Sequence, residues 1–389
     1  MEQFNITEYI DGDVLSGKIY TNPELFDLEM KKIFQGTWVY VAHESEIANP
    51  GDYKTTFIGN QPVIVTRGAD DGNIYVMLNR CRHKAATVCQ MECGNANFFR
   101  CAFHGWTFTN KGDLIGTPFQ DGYGEDFKKE EHGLIRLPRV ESYRGFIFAS
   151  FNPNVPPLED YLGNAKQYID YVVNTGPQGI ELSAGAHKYE FKGNWKLQLE
   201  NTIDPYHLSF THRSFFDLLS ERTGKKINFS KMHSNERISD LGNGHSLYEL
   251  DSDIGIGELP FNLIIFPNLG ILGSQVRVIL PTAHNLTRVY LYPIMLKGAS
   301  REENAARLRK HEGFYGPAGH GTVDDLEVAF DRVWDGLQAN SSKDVLIISR
   351  GRNRETVDEK GVITATSSDE VSARAIYKEW KKLMTDNAV

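Results

Sequence analysis

Cysteine is scarce in this sequence, which has only four among 389 residues, all of them between Cys81 and Cys101. So few thiols exclude an extracellular scaffold built on disulfides. Because the four are clustered, we expect a metal or redox site in that short stretch.

Long apolar runs and an excess of positive charge are also lacking. The most apolar segment, Phe261 to Leu272, is interrupted by asparagine and proline, and the first residues lack the basic start and apolar stretch of a signal peptide. We therefore expect a soluble cytoplasmic protein that binds no membrane. The 42 basic and 51 acidic residues give a net charge of −9, which argues against nucleic-acid binding.

The distribution of turn residues and apolar periodicity predicts an α+β protein with two folded domains and an N-terminal helical segment. Residues 1–38 are predicted to form that segment, with Asn22 as helix N-cap and Pro23 at the first helical position, and to pack on the C-terminal domain. Short β-like runs at 38–42, 62–67, 74–78, 97–100 and 146–151 predict a small antiparallel β domain over residues 39–155.

The proline-rich stretch from Asn152 to Pro157 marks the boundary to a second domain, residues 156–389. This domain is predicted to be one antiparallel sheet surrounded by helices. The predicted helices cover 158–173, 195–222, 301–312, 323–339 and 369–385, and the predicted strands cover 187–193, 261–266, 271–280 and 287–295.

Two cysteines and two histidines form the first candidate site. Cys81 and His83 lie on one predicted loop, and Cys101 and His104 lie on another, with 17 residues between His83 and Cys101. Such ligands hold either a structural zinc ion or a 2Fe-2S cluster whose cysteines bind one iron and whose histidines bind the other. The pattern Cys-x-His, then Cys-x-x-His followed by Gly105-Trp106, resembles the Rieske motif of oxygenases, and this implies the cluster.

The other two cysteines, Cys89 and Cys93, are interpreted as small buried hydrophobic residues. Arg82 and Lys84 flank the candidate ligand His83, either as solvated surface charges or as a docking site for an acidic redox partner.

A second candidate site lies in a predicted helix that begins near Trp195, where Asp204 is followed by His207 and His212. On an ideal helix, residues five apart point about 140° away from each other, so the two histidines reach one metal only if the helix is interrupted. Pro205 provides a local reason for such an interruption.

The pattern Asp-x-x-His-x-x-x-x-His, preceded by Glu-Asn and placed about a hundred residues after the Rieske-like motif, is similar to the iron motif of the Rieske non-heme iron ring-hydroxylating oxygenases. The resemblance covers nearly the whole chain. It implies that residues 39–155 are a Rieske domain, that residues 156–389 are the catalytic domain, and that His207 and His212 bind Fe(II). Sites of this type also need one carboxylate ligand.

The carboxylate candidates are Asp324, Asp325 and Glu327, between which the chemistry of the residues alone does not choose. An alternative is that Thr322 and Asp325 form a helix capping box. The family pattern of Gly-Pro-Ala-Gly followed by paired aspartates implies that Asp325 is the ligand.

The resemblance also implies roles around the iron. Asp204, three residues before His207, would accept the proton of its free ring nitrogen and link it to the His104 of a neighbouring subunit, within a homotrimer. Asn201 would be an outer-sphere amide or a polar helix residue.

The resemblance implies the catalytic α subunit of a multicomponent aromatic-ring-hydroxylating dioxygenase in aromatic compound catabolism, with an aromatic substrate and O2. A small β subunit would give an α3β3 assembly, although an α3 assembly is also compatible. Electrons would come from NAD(P)H through a ferredoxin, a flavin reductase or both. A Rieske electron carrier or a zinc-stabilised binding module would leave the second histidine motif unexplained.

Three segments resemble the benzoate, anthranilate and salicylate oxygenases, which implies an aryl carboxylate substrate; they are 136–146, 266–268 and 324–327. Arg277, Arg288 and His320 are the candidates for binding its carboxylate. His320 and Gly321 stand where hydrocarbon oxygenases often have large aromatic residues. A monooxygenase or demethylase, or a dioxygenase of polycyclic or other neutral arenes, remains the alternative.

Overall fold

A computed structural model describes residues 4–224, 233–250, 259–316, 319–339 and 345–386 of the chain. The chain divides into a large unit, residues 1–33 with 159–389, and a small unit, residues 34–158. Among the described residues, no helix combines the length and the hydropathy that crossing a bilayer requires.

The N-terminal segment forms two short strands, Ile10–Asp11 (β1) and Val14–Leu15 (β2), and two helices, Lys18–Thr21 (α1) and Pro23–Glu29 (α2). The side chain of Asn22 accepts hydrogen bonds from the backbone N–H groups of Glu24 and Leu25, so the predicted start of α2 is confirmed. A π-helical turn, Met30–Phe34, follows directly.

The small unit consists of antiparallel sheets, as expected from its turn-rich sequence. Its sheets have the strand orders β6-β5-β4-β7, β10-β9-β8 and β11-β12-β3. The strands are Val39–His43 (β3), Asp52–Ile58 (β4), Gln61–Arg67 (β5), Ile74–Leu78 (β6), Cys93–Asn95 (β7), Phe98–Arg100 (β8), Thr107–Thr109 (β9), Leu114–Gly116 (β10), Arg139–Tyr143 (β11) and Phe146–Ser150 (β12).

The seven-residue strand β4 was missed from the sequence because its apolar pattern is broken by Lys54. This lysine is nevertheless buried, and its Nζ lies 2.6 Å from the carboxylate of Glu46. A buried, paired lysine therefore occupies a core position that the sequence pattern assigns to a surface loop.

The large unit is built on a nine-stranded antiparallel sheet, in the order β14-β20-β19-β18-β17-β16-β15-β24-β23. Short strands elsewhere form the sheets β1-β2-β22 and β13-β21. The strands are Ile180–Glu181 (β13), His187–Phe191 (β14), Arg237–Gly242 (β15), His245–Glu249 (β16), Phe261–Ile265 (β17), Leu269–Leu272 (β18), Gln275–Ala283 (β19), Leu286–Pro293 (β20), Met295–Leu296 (β21), Leu346–Ile347 (β22), Thr356–Val357 (β23) and Ile363–Thr366 (β24).

Helices cover this sheet, as predicted, but their bounds differ from the prediction. The helices are Leu158–Leu162 (α3), Lys166–Asn174 (α4), Trp195–Thr202 (α5), Leu208–Thr211 (α6), Arg213–Thr223 (α7), Arg301–Tyr315 (α8), His320–Asp325 (α9), Arg332–Leu337 (α10) and Val371–Thr385 (α11). The predicted helix over 195–222 is three helices. The predicted strand over 271–280 is two, because Gly273 adopts a positive φ of 61° in the turn between them.

A buried polar cluster anchors the first turn of α5. The Glu29 carboxylate accepts hydrogen bonds from Lys196 Nζ at 2.6 Å, from Trp195 Nε1 at 2.9 Å and from Trp380 Nε1 at 2.7 Å. Glu29 and Lys196 are completely buried, so each needs the other to offset the loss of hydration. This cluster ties α2, α5 and α11 together and fixes the helix that leads to the candidate iron ligands.

Candidate metal centres

Three potential ligand atoms meet in the large unit. His207 Nε2 lies 3.5 Å from Asp325 Oδ1, and His212 Nε2 lies 3.2 Å from the same oxygen. The three atoms all lie within 4.8 Å of one another. We call His207, His212 and Asp325 the triad.

The two histidines converge because the helix is interrupted between them. Helix α5 ends at Thr202, shortly before Pro205. The residue before the proline, Asp204, forms a turn through its side chain, because Asp204 Oδ1 accepts a hydrogen bond from the N–H of Tyr206 at 2.8 Å. His207 then lies in the break and His212 between α6 and α7. The chain thus makes the interruption that the histidine spacing requires.

The third member of the triad comes from α9, which begins at His320 with Gly319 as N-cap. The alternative capping box is therefore wrong, and the Thr322 hydroxyl instead donates to the carbonyl of Tyr315. Asp325 ends α9, immediately before a π-helical turn. Two residues of the Gly-Pro-Ala-Gly pattern used to choose it, 317 and 318, lie outside the described residues.

The other carboxylate candidates point elsewhere. Asp324 Oδ2 lies 3.2 Å from Nδ1 of His212, on the ring edge opposite the nitrogen that faces Asp325. Glu327 is exposed and forms an ion pair with Arg332 at 2.8 Å. Asp324 thus contacts the ligand His212 and not the metal position itself. The sequence analysis did not identify this role, although the position of Asp324 next to Asp325 indicated that it lies near the site.

Both histidines of the triad are oriented by a carboxylate. Asp204 Oδ2 lies 3.4 Å from Nδ1 of His207, and Asp324 Oδ2 lies 3.2 Å from Nδ1 of His212. A carboxylate at Nδ1 keeps the proton on that nitrogen and leaves the Nε2 lone pair free for a metal.

The charges around the triad favour an ionised carboxylate. Burial alone would raise the pKa of Asp325, but the close approach of the His212 ring and the positive charges of His207 and Arg277 outweigh it and hold this pKa below its usual value. Burial also disfavours the charged form of His207, yet Asp204 reverses that effect and raises its pKa.

The triad fits the mononuclear iron that its donor set implies. Two imidazole nitrogens and one carboxylate oxygen form the facial set used by non-heme Fe(II) oxygenases. Asp325 Oδ1 is buried and has no hydrogen-bond donor among the described residues. A buried carboxylate oxygen without a donor is costly, and a metal ion would satisfy it.

The candidate cluster ligands lie on two similar loops of the small unit. Cys81 and Cys101 are buried, and the carbonyl of each accepts an N–H from the residue four positions later at 3.0 Å, Ala85 and Gly105 respectively. Both of those residues have positive φ angles, 61° and 72°. Burial raises the pKa of the Cys81 thiol, and the interaction with the Cys101 side chain adds to it.

The two imidazoles approach each other at the ends of these loops. The ring centroids of His83 and His104 are 4.6 Å apart, and His83 stacks on Trp106 at 5.2 Å. His83 Nδ1 is buried without a hydrogen-bond partner, whereas His104 is exposed. Two thiols and two imidazoles with an unsatisfied ring nitrogen fit a Rieske cluster.

The two remaining cysteines differ from each other. Cys89 is buried, as expected, and its backbone is held by the side chain of Asn79. Cys93 is exposed on the edge strand β7, so the expectation of burial is wrong for it. A short edge strand gives one of its faces to solvent.

A small cavity of about 40 Å³ adjoins the triad. Asn201 lines it, and its Nδ2 is buried without an acceptor. Arg277 lines it as well, whereas Arg288 is paired with Glu190 at 3.0 Å and His320 is exposed, so neither of these is a lining residue. This cavity shares Asn201, Asp204 and His207 with a larger one.

A larger cavity of about 640 Å³ is also lined by His207, and its wall contains a carboxylate that the sequence analysis missed. Glu200 in its wall accepts hydrogen bonds from the hydroxyls of Tyr20 at 2.9 Å and Tyr377 at 2.5 Å. Burial raises the pKa of Glu200 to about 7, although both tyrosines and Lys196 oppose the shift, and Asp204 adds to it.

The raised pKa of Glu200 predicts a pH-dependent stability. The folded protein holds this proton up to about pH 7 and the unfolded chain only to about 4.5, so the contribution of Glu200 is lost as the pH rises between these values. We expect Glu200→Gln to raise the unfolding midpoint at pH 8 by about 5 °C relative to wild type, and to leave it unchanged at pH 4. Equal shifts at both pH values in a calorimetric scan would contradict this assignment.

The two candidate sites lie in segments that match two known domain families. Residues 37–143 match the Rieske [2Fe-2S] domain, and residues 181–386 match the ring hydroxylating alpha subunit catalytic domain. The chain belongs to the ring-hydroxylating oxygenase α-subunit family. It is a Rieske non-heme iron dioxygenase subunit, with a 2Fe-2S cluster and a mononuclear iron as cofactors.

Known α subunits resemble the chain over most of its length. The toluate 1,2-dioxygenase subunit alpha of Pseudomonas putida is 35% identical, over 86% of this chain and 80% of its own length. The anthranilate 1,2-dioxygenase large subunit of Acinetobacter baylyi is 34% identical, over 95% and 88%. A solved naphthalene 1,2-dioxygenase with indole bound superposes with a TM-score of 0.87 at 29% identity, covering 99% and 95%. These matches confirm the α+β fold expected for a Rieske oxygenase α subunit.

Proposed function

We propose that this α subunit hydroxylates the ring of an aryl carboxylate, with iron held by His207, His212 and Asp325 and the cluster held by Cys81, His83, Cys101 and His104. The observation that carries the iron site is the convergence of two imidazole nitrogens on one buried carboxylate oxygen that lacks a hydrogen-bond donor. When bound, the cluster supplies single electrons and the iron activates dioxygen.

The residues around the triad orient these groups. Asp204 and Asp324 hold the two histidine rings through their Nδ1 atoms, so that both Nε2 atoms face Asp325. Asn201 lines the same cavity, and its amide Nδ2 has no acceptor among the residues that the structure describes. This amide donates a hydrogen bond to a group bound beside the triad.

Asp204 also provides the connection to a second copy of the chain. Its side chain is 44% exposed, and the ring of Phe210, 71% exposed, lies on the same surface segment. At the tip of the small unit, His104 is exposed beside Phe103, which is 60% exposed. Two surfaces with exposed rings around complementary hydrogen-bonding groups support docking of His104 from one copy on Asp204 of another, in a homotrimer.

The electron-transfer partners follow from the α-subunit family. An α subunit works with further components, and here we propose a small β subunit in an α3β3 assembly, with α3 as the alternative. A ferredoxin, a flavin reductase or both would deliver electrons from NAD(P)H. The exposed side chains of Arg82 and Lys84 beside His83 support docking of an acidic redox partner.

The names of the relatives support the substrate class. Toluate and anthranilate are both benzoic acids that carry one further ring substituent, and the two α subunits named for them are about a third identical to this chain over most of its length. The alternative is a dioxygenase of neutral arenes, and the naphthalene 1,2-dioxygenase structure that represents it is less similar in sequence, at 29% identity. The two candidates differ in whether the protein must compensate a negative charge on the substrate.

A single-turnover experiment tests the proposal. The purified holoenzyme would be reduced chemically and exposed to ¹⁸O2 with benzoate, toluates, anthranilate, salicylate, naphthalene and toluene, and the products would be analysed by mass spectrometry. We expect carboxylate products that carry two labelled oxygens. One labelled oxygen would indicate a monooxygenase, and turnover of the neutral arenes alone would refute the aryl carboxylate assignment.

A further inference from the structure

Arg277 is a buried cation that forms no ion pair with the described residues. It lies on the interior strand β19, opposite Gly270 and Leu291 of the neighbouring strands, and it is only 4% exposed. Among the residues that the structure describes, no carboxylate lies within ion-pair distance of it. Removing a guanidinium from water without such a partner is energetically costly, so the position is unfavourable for folding alone.

The guanidinium is anchored through one of its nitrogens. Arg277 Nη1 donates to the hydroxyl of Thr202 at 3.0 Å, and that hydroxyl in turn donates to the carbonyl of Gln198 at 2.7 Å. Arg277 Nε is buried and has no acceptor among the described residues. The edge that carries Nε therefore has a free donor, and this is an edge through which arginine binds the two oxygens of a carboxylate.

The surroundings of Arg277 include the triad. Both line the same cavity, together with Thr202, Asn262 and Tyr315. Among the described lining residues of this cavity, Arg277 is the one lysine or arginine. The carboxylate of the triad, Asp325, faces both histidines and forms no ion pair with Arg277. Gly270, opposite Arg277, allows Thr202 to approach closely, since a Cβ at Gly270 would lie 3.0 Å from the Thr202 methyl group.

We propose that Arg277 binds the carboxylate of the aromatic substrate through this free edge and so selects aryl carboxylates over neutral arenes. The inference rests on the proposed function and names the residue that decides its substrate class. Because the carboxylate is held in the cavity that the triad lines, the aromatic ring is held beside the iron ligands. Arg288 and His320, the other candidates from the sequence, lie outside this cavity.

The test is direct binding of benzoate and of its neutral analogue benzamide to the holoenzyme, measured by calorimetry without turnover. For Arg277→Gln we expect the dissociation constant of benzoate to rise about 100-fold, because a buried charge-assisted pair is lost. The dissociation constant of benzamide should change by less than about threefold. Arg277→Lys keeps the charge but not the two-point geometry, so the dissociation constant of benzoate should rise about 10-fold.

Arg288→Gln is the matched control, since it removes an arginine from the adjacent strand and should leave both dissociation constants unchanged. Equal losses of benzoate and benzamide in Arg277→Gln would indicate a merely structural role and overturn the proposal, as would unchanged benzoate binding. Thr202→Val removes the hydroxyl that anchors Arg277 Nη1. It should raise the dissociation constant of benzoate by a smaller factor than Arg277→Gln does, and leave that of benzamide unchanged. Cluster absorbance and iron content show whether each variant is folded.

Failure of this inference is distinguishable from failure of the proposed function. If the wild type forms labelled products from arenes but binds benzoate no better than benzamide, the role of Arg277 is refuted and the oxygenase assignment stands. If the wild type binds benzoate through Arg277 but oxidises no aromatic compound, the function fails and the binding site stands.

Discussion

Asp204→Ala is expected to abolish turnover while both metal centres stay loaded. The carboxylate is not a member of the triad: its Oδ2 contacts Nδ1 of His207, and its Oδ1 is bonded to the N–H of Tyr206. Loss of such a partner costs up to about 100-fold in activity in metal enzymes, and here we expect more because the same group is proposed to connect two subunits.

The measurement combines iron content, the visible spectrum of the cluster and stopped-flow reoxidation of the reduced cluster in the presence of substrate and O2. In Asp204→Ala the first two should be unchanged and the third should slow at least about 100-fold. Asp217→Ala is the matched control, because Asp217 is an exposed aspartate nearby in sequence that pairs only with Arg213. Normal reoxidation in Asp204→Ala would remove the bridge from the proposal, and loss of iron would assign Asp204 a role in metal retention.

The sequence predicted the ligand types better than the geometry around them. Spacing and family resemblance led to His207, His212 and Asp325, whose ligand atoms the fold brings within 4.8 Å. The same spacing also required an interruption, and Pro205 indicated where it would occur. Such local signals are strong because a proline and a short polar side chain act on the backbone within a few residues.

Features that depend on distant contacts were not predictable. Glu200 accepts hydrogen bonds from Tyr20 and Tyr377, which lie 180 and 177 residues away in sequence. The residues next to Glu200 in the sequence therefore do not indicate that its pKa is raised. The sequence named Arg277 and Arg288 together as candidates, and only the fold separates them: Arg277 is buried with no ion pair among the described residues, whereas Arg288 pairs with Glu190. Strand β15 was missed because Ser239 and Asp240 are buried there, which removes the usual alternation of apolar and polar residues.

Replacing each of two adjacent aspartates by alanine should separate a metal ligand from its support. Asp325→Ala removes an oxygen that faces both histidines, and we expect the mononuclear iron to be lost while the cluster iron remains, so that activity falls to background. Asp324→Ala removes only the partner of Nδ1 on His212, and iron affinity should fall by about 10- to 100-fold.

The comparison is sharp because the two variants make the same chemical change one residue apart in the same helix. Iron would be titrated anaerobically into metal-depleted protein and bound metal counted by mass spectrometry. Glu327→Ala, which removes an exposed carboxylate paired with Arg332, should leave iron affinity unchanged. The reverse order, with iron retained in Asp325→Ala and lost in Asp324→Ala, would exchange the roles of the two carboxylates. It would mean that His212 rotates on metal binding, because Asp324 now faces the nitrogen opposite the triad.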